Sequence, residues 1–262
     1  MAKALFAAAD VALPRLPGPR ILIYHQVGSG RGHEMNVSVQ TFRRQLDWVQ
    51  SYGEIVSLEE AIRRWADVNS EYLSVLTFDD GYSDVFLNAF PLMKQRRIPF
   101  TLYLTSGPIE RPGDFPSWPG EPLGWDQIRS MIDSGLMTVG AHTHTHPDLR
   151  FMDDGRIVDE LDRSNDLIAS RTGAVPRHFT YPKGWWAPQA DGHVRARYLS
   201  ATLGNPISAA WALDVHKINR VPVQRSDLSQ LFRMKVRSGG RVEGMMRRRF
   251  RGHQLPDGMP VG

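Results

Sequence analysis

The sequence predicts an α/β protein built on a parallel sheet, and a closed barrel suits it better than an open sheet. Three observations carry this. Strand-like and helix-like segments alternate from residue 20 to about residue 225 with short links, the pattern of parallel strands joined by crossover helices. The chain has 262 residues, a length at which an α/β barrel forms one domain. The residues with reactive side chains fall where apolar runs end, as they do at the C-terminal mouth of a barrel.

Residues 1–19 end in a proline-rich stretch, Pro14 to Pro19, which reads as a stiff lead-in. Residues 20–24 form a short apolar strand that runs into His25. The glycines at 28, 30 and 32 make a flexible loop; no Lys-Ser/Thr follows, so it is not a phosphate cradle. Ser38 caps a helix to about residue 50, with Phe42, Leu46 and Val49 on one face. Ser57 and Glu60 form a capping box for a second helix, with Ile62 and Trp65 turned inward. Residues 73–78 are a strand ending in Asp79, Asp80 and Gly81. A helix over 83–97 carries Phe86, Phe90 and Met93, with a kink-prone Pro91.

Residues 100–105 are the next strand. Residues 107–124 form a long loop with five prolines and Trp118, the kind that lines a ligand site or pins itself. A helix over 125–134 stops at Gly135, and a strand over 136–141 delivers His142, His144 and His146. The longest helix, 154–172, presents Ile157, Leu161 and Ile168 and ends at Gly173. Strands near 179–181, 199–202 and 219–223, with a weak helix around 192–198, complete the alternation.

Composition narrows the chemistry. Hydrophobic residues make up 41% and charged residues 23%, as in ordinary folded proteins. There is no cysteine, so disulfides and thiolate sites are excluded and a metal must be held by His, Asp or Glu. Net charge is +4, but residues 233–251 carry +7 and leave the rest at −3. A mildly acidic body with a basic tail argues against nucleic-acid binding. The tail could meet an anionic membrane surface, an acidic glycan or a partner protein. No run reaches the length of a membrane span, and the N-terminus lacks the unbroken apolar core of a secretory signal, which points to the cytoplasm.

Asp79 and Asp80 sit where a buried strand surfaces. The Gly81 turn can rotate both into one cleft, where one binds a cation and the other moves a proton. Three histidines at two-residue spacing behind a strand read as metal ligands. If the turn is helix-like, His142 and His146 share a face; if it stays extended, all three do. Two imidazoles and one carboxylate leave a divalent ion with open positions, and a second carboxylate beside it makes a hydrolase for an amide or ester.

The pairing of Thr77 to Gly81 with His142 to Pro147 resembles the polysaccharide deacetylase family, the NodB-homology domain of carbohydrate esterase family 4. Further matches run in order over roughly residues 20–225. They are residues 21–25, Phe42 with Leu46, Trp125 with Ile128, Glu160 and Leu161 with Ser164, residues 179–182, and residues 219–222. The resemblance implies a distorted (β/α)7 barrel of NodB-homology type. It also implies removal of N- or O-acetyl groups from a carbohydrate polymer or oligosaccharide, typically one of N-acetylglucosamine. The domain reading is then a lead-in over 1–19, the catalytic domain over 20–225 and a basic tail over 226–262.

Carried onto this chain, the resemblance makes Asp80, His142 and His146 the metal ligands and Asp79 the general base. Thr143 steadies the loop, and His144 is left behind the ligands or facing solvent. Zinc is the first choice of ion, with cobalt, nickel or iron compatible with the same ligands. For the general acid there are two candidates: His25, which matches a permuted subgroup acting on poly-N-acetylglucosamine, and His216 in a poorer context. The family's third motif lacks its usual Arg here, and Arg220 is the substitute expected to orient Asp79. Tyr181 is expected to frame an oxyanion pocket, and Trp185 and Trp186 to offer a wall for a sugar face, one of them being core. The family works outside the cytoplasm, in tension with the absent export signal.

Other readings fit parts of the pattern. An amidohydrolase acting on a non-sugar amide would want further late metal ligands, and a two-His-one-carboxylate iron oxygenase gives Asp79 no task. An inactive carbohydrate-binding domain is disfavoured by the intact Asp79, Asp80, His142 and His146.

Overall fold

The computed structural model describes residues 18–30, 32–204 and 214–239. In chain order the elements begin with β1 (Arg20–Tyr24), β2 (Gln26–Val27), β3 (Asn36–Val37), α1 (Val39–Tyr52), β4 (Glu54–Ile55), α2 (Leu58–Arg63) and β5 (Leu73–Phe78). Then come α3 (Phe90–Gln95), β6 (Phe100–Leu104), α4 (Ser106–Glu110), α5 (Trp125–Asp133), β7 (Met137–Ala141), α6 (Asp154–Thr172) and β8 (His178–Thr180). The chain continues through α7 (Pro188–Arg197), β9 (Ser200–Leu203), β10 (Ile218–Asn219), β11 (Val221–Pro222) and α8 (Ser229–Ser238). Caps sit where the sequence puts them: Ser38 accepts from the Thr41 amide and Ser57 from the Glu60 amide. Among the described residues, no helix is long and apolar enough to cross a membrane.

The main sheet is parallel throughout, in the order β10-β9-β8-β7-β6-β5-β1-β11, with β4 also on β5. Its two ends are one piece of chain. Ile218 and Asn219 pair with β9, Val221 and Pro222 pair with β1, and Arg220 lies between. The segment 218–222 therefore leaves one edge and joins the other, closing a barrel of seven staves with its seam at Arg220. The barrel expectation holds, and closure also removes the open sheet edges on which other chains could pair.

Strand phase sorts the side chains. Leu22, Tyr24, Leu76, Phe78, Leu102 and Leu104 face the helix layer. Their alternates Ile21, Val75 and Tyr103 face inward, where Ile218 joins them and Leu58 and Ala61 from α2 pack beneath. Tyr103 needs room: a Cβ on Gly140 would lie 2.3 Å from its ring, so the neighbouring strand carries glycine there. Buried polar side chains share the inward positions, among them Thr77, Thr101, His178, Thr180, Ser200 and Thr202.

Three elements differ from the sequence expectation. The helix over 83–97 is split into a wide π-type segment over Val85–Ala89 and then α3, because Pro91 has no N–H to bond the preceding turn. The loop over 107–124 begins with a helical turn, α4, where Pro108 falls among first-turn positions whose N–H groups lack partners anyway. The basic tail starts as folded structure: α8 buries Leu231, Phe232 and Val236, and Lys235 reaches Asp227 and the Pro222 carbonyl. Charge counting hid an apolar face at 231, 232 and 236. The lead-in over 1–17 and the tail from residue 240 lie outside the described residues.

Asp84 fixes the segment after His25 by accepting from the Val27 amide at 2.7 Å. Burial pushes its carboxyl up to about 6, against the pull of that amide. The folded state thus holds this proton more tightly than the unfolded chain. The stabilisation is full below the ordinary value of 3.8 and is lost as pH rises through about 6. Ionised Asp84 costs about 1–2 kcal/mol near neutrality, allowing for its partial exposure. Asp84→Asn keeps an acceptor for Val27 and is expected to raise Tm by about 3–6 °C near pH 7, the gain disappearing below about pH 4 in a thermal melt.

Candidate metal centre and active site

Asp79 is the inward residue that follows Thr77 in the phase of β5, and it continues the strand far enough for its amide to reach the Tyr24 carbonyl. The same phase would send Asp80 outward. Instead Asp80 takes a left-handed backbone, φ +74°, and Gly81 follows at φ +86°, which turns the second acid back over the barrel mouth. A left-handed aspartate is tolerated but uncommon, and such strain collects at functional sites.

Arg220 reaches across the lumen from the seam. Its two terminal nitrogens donate to the two oxygens of Asp79 at 2.7 Å each, and further to Thr77 Oγ1 at 3.0 Å and Thr180 Oγ1 at 2.6 Å. Its Nε donates to the Leu203 carbonyl at 3.2 Å. The guanidinium is buried over the Tyr103 ring. Burial alone would raise the Asp79 carboxyl; the charge and hydrogen bonds of Arg220, aided by His142 and His25, outweigh it and hold the group at about 2. Asp79 is therefore ionised, with a second lone pair on each oxygen left for other donors.

The histidine turn is neither helical nor extended, yet it pairs His142 with His146 and turns His144 away, as the helix-like reading expects. After Ala141 the chain takes positive φ at Thr143 (+65°) and at His146 (+61°), which brings the His142 and His146 rings to 4.7 Å, nearly edge to face. The Thr143 hydroxyl accepts from the His146 amide at 3.0 Å. Glu160, buried on α6, accepts from the amides of His144 and Thr145 at 2.9 and 2.8 Å and from the Thr145 hydroxyl at 2.6 Å. His144 points elsewhere, to Ser106 Oγ at 2.9 Å and Arg163 at 3.1 Å.

Asp80 Oδ1 lies 3.5 Å from His142 Nε2 and 3.7 Å from His146 Nε2. One ligand atom from each residue falls within 4.8 Å of the others. The protons on these groups decide whether a cation fits among them. His142 Nδ1 is 2.7 Å from the Thr180 carbonyl, which places its proton there and turns the Nε2 lone pair to the pocket. Burial pushes His142 down to about 3 and His146 down to about 4, so both are neutral. Asp80 Oδ1 is buried without a hydrogen-bond donor. Two acceptors, Asp80 Oδ1 and His142 Nε2, converge with His146 Nε2 beside them, an arrangement that a divalent cation satisfies. Burial, with Asp79 adding to it and His25 opposing, raises the Asp80 carboxyl, the cost of that convergence.

His25 follows β1 at the same mouth, near enough for its charge to act on both Asp79 and Asp80, and its Nδ1 is buried without a partner. His216 is elsewhere: its ring bonds the Tyr198 carbonyl at 2.8 Å and Arg195 at 3.3 Å. The pocket expected at Tyr181 would use a backbone N–H; the Tyr181 amide donates to the Thr202 carbonyl at 3.2 Å. Phase with Phe179 sends its ring to the helix side, among Phe179, Val194 and Leu161, so only its backbone is at the mouth. Trp186 packs on that same cluster, donates to Asp191 at 3.0 Å and has the Lys217 ammonium 3.9 Å over its ring. Trp185 is half-buried and carries the Arg150 guanidinium at 4.8 Å. Glu160 entered the sequence reading only as part of a family pattern; an acid one turn from Ile157 on the buried face of α6 was the signal that it must have partners.

A family model described as polysaccharide deacetylase matches residues 67–198. The chain belongs to the polysaccharide deacetylase family. Its relatives in the family include the poly-beta-1,6-N-acetyl-D-glucosamine N-deacetylase of Staphylococcus epidermidis, 29% identical over 161 residues, 60% of this chain and 53% of that one. The chitooligosaccharide deacetylase of a Bradyrhizobium strain is 28% identical over 135 residues, 51% of this chain and 56% of that one. This deacetylase-family chain thus spans about half the length of those two relatives. Among solved structures, IcaB from Ammonifex degensii superposes with a TM-score of 0.70 at 26% identity, over 84% of this chain and 99% of that one. The Streptococcus pyogenes deacetylase PplD shares the fold with a TM-score of 0.70 at 21% identity, over 86% and 99%.

Proposed function

We propose that the protein is a divalent-metal-dependent deacetylase that hydrolyses N-acetyl groups on an N-acetylglucosamine polymer or oligosaccharide. The observation that carries this is the juxtaposition at the mouth: an ionised carboxylate clamped by Arg220, beside the converging Asp80, His142 and His146. Membership of the family supplies the substrate class, and the names of the relatives point to N- rather than O-linked acetyl groups. A divalent ion, zinc first, would polarise the acetyl carbonyl and make water nucleophilic near neutral pH.

The rest falls to this chain's own residues. Asp79 takes the proton of the attacking water. Arg220 keeps that carboxylate ionised and fixes its orientation, so the base needs no reorganisation when the substrate enters. His25, on the neighbouring strand end, gives a proton to the sugar nitrogen as the C–N bond breaks; the products are acetate and a free amine. The buried wall of the barrel beneath Arg220 excludes other water from the pair.

The test is acetate release from N-acetylglucosamine oligomers of β-1,6 and β-1,4 linkage, before and after chelation and after zinc is restored. Release that stops with chelation and returns with zinc is expected. Release that is unaffected by a chelator, from protein shown to be free of metal, would overturn the reading.

The clamp on the histidine turn has its own consequence. Glu160→Ala leaves two amides and a hydroxyl without their acceptor and frees the backbone that sets His146. Metal affinity is expected to fall by about 10–100-fold, as for other groups that orient ligands, with Glu160→Gln recovering most of it because the amide oxygen still accepts. Competition against a chromogenic chelator measures both.

A further inference from the structure

The geometry points to Trp118 as the residue that recognises the sugar ring at the reacting acetyl group. This rests on the deacetylase reading above. Trp118 stands on the strap between α4 and α5. A turn in which its amide donates to the Phe115 carbonyl sets its place. The strap is then stitched to the chain just past Asp80: the Ser83 amide donates to the Glu121 carbonyl and the Leu123 amide to the Gly81 carbonyl, around a bridge between Tyr82 and Pro122. Gly120 allows this close approach, since a Cβ there would lie 2.6 Å from the Tyr82 ring and 2.3 Å from Gln26 Nε2. The strap thus rests on the turns that carry Asp80 and His25.

Held this way, the indole touches both the Asp80 turn and the histidine turn. Its ring centre is 5.9 Å from that of Tyr82 and 5.9 Å from that of His146, to which it is nearly perpendicular. An aromatic ring against a metal-ligating residue borders the space the acetyl group must enter. Its Nε1 is buried with no acceptor among the described residues, and so is Gln26 Nε2 beneath the strap. Buried donors are nearly always bonded, so an orphaned indole N–H beside a reaction pocket marks an acceptor that arrives with the ligand. A pyranose supplies both partners: a C–H face for the ring and hydroxyls for the N–H. The acceptor is a hydroxyl of the N-acetylglucosamine unit undergoing reaction, and the Trp118 contact distinguishes a sugar from a small acetyl compound.

The experiment compares Trp118→Ala and Trp118→Phe with the wild type on an N-acetylglucosamine pentamer and on 4-nitrophenyl acetate, and measures pentamer binding to Asp79→Asn protein with and without Trp118→Ala. The expected result is a rise of about tenfold or more in KM for the pentamer in Trp118→Ala, the loss that removing a buried aromatic anchor brings. Trp118→Phe should fall between, and the loss on the ester should be much the smaller. Equal losses on both substrates would overturn the inference by making the strap a general support of the pocket. Pentamer binding that Trp118→Ala leaves intact, or its absence in the wild type, would also overturn it. Failure of the deacetylase reading looks different: a pentamer that binds through Trp118 but yields no acetate.

Discussion

Asp79→Asn is expected to lower kcat for acetate release by about 10³-fold while leaving bound metal unchanged, the scale of loss when a positioned general base is removed. The side chain keeps its size and one acceptor oxygen, so Arg220 retains one of its two bonds to it. What goes is the negative charge and the ability to take a proton. The ligand set Asp80, His142 and His146 is untouched, so metal content and turnover should separate. Steady-state kinetics beside elemental analysis of the same protein decides it. A variant within tenfold of wild type would remove Asp79 from the proposed mechanism.

Arg220→Ala is expected to damage stability and turnover together. The buried guanidinium neutralises Asp79 and ties Thr77, Thr180 and the Leu203 carbonyl across the seam. Removing one partner of a buried ion pair leaves the other charge stranded, at about 3–5 kcal/mol. For a chain of this size that is a fall of about 10 °C in Tm. The combined variant Asp79→Asn with Arg220→Ala should recover part of that loss, because no buried charge remains, while staying inactive. Arg220→Lys should hold a charge near Asp79 but not the forked pair, and so recover stability more than turnover. Thermal melts of the four proteins form a double-mutant cycle. An Arg220→Ala protein that melts and turns over like wild type would sink the role given to Arg220.

The parts of the site that the sequence made legible are those contiguous in it. Asp79 and Asp80 mark a strand end, and His142 with His146 mark another, because parallel strands bring reactive ends to one side of a barrel. What the sequence hid was backbone hand. Asp80, Thr143 and His146 all have positive φ, so the turn is not a helix, although helical spacing does pair His142 with His146 and leave His144 outside. The Tyr181 ring turns away from the lumen because it is in phase with Phe179, which is core, whereas Thr180 is the inward residue. Arg220 is marked in the sequence by the motif's missing Arg and by its place on a late strand, and its guanidinium does lie on Asp79; the Thr77 and Thr180 hydroxyls that share it carry no signal. Helix boundaries are legible where caps are local, at Ser38, Ser57 and Gly173, and less so at Pro91, where the response to a missing N–H is set by the surrounding packing.

The seam at residues 218–222 also orders events during synthesis. Asp79 leaves the ribosome 141 residues before the arginine that neutralises it, roughly 10–30 s at ordinary rates of elongation. Through that interval the staves from β1 to β9 can pair, yet the nascent barrel has an open edge on each side and an anion at its centre with no counter-charge. Only when the last stave arrives do closure of the edge and pairing of the anion happen, in one step and with one residue. Completion of the mouth is therefore tied to completion of the barrel, and a chain arrested before that point holds Asp79 without its arginine.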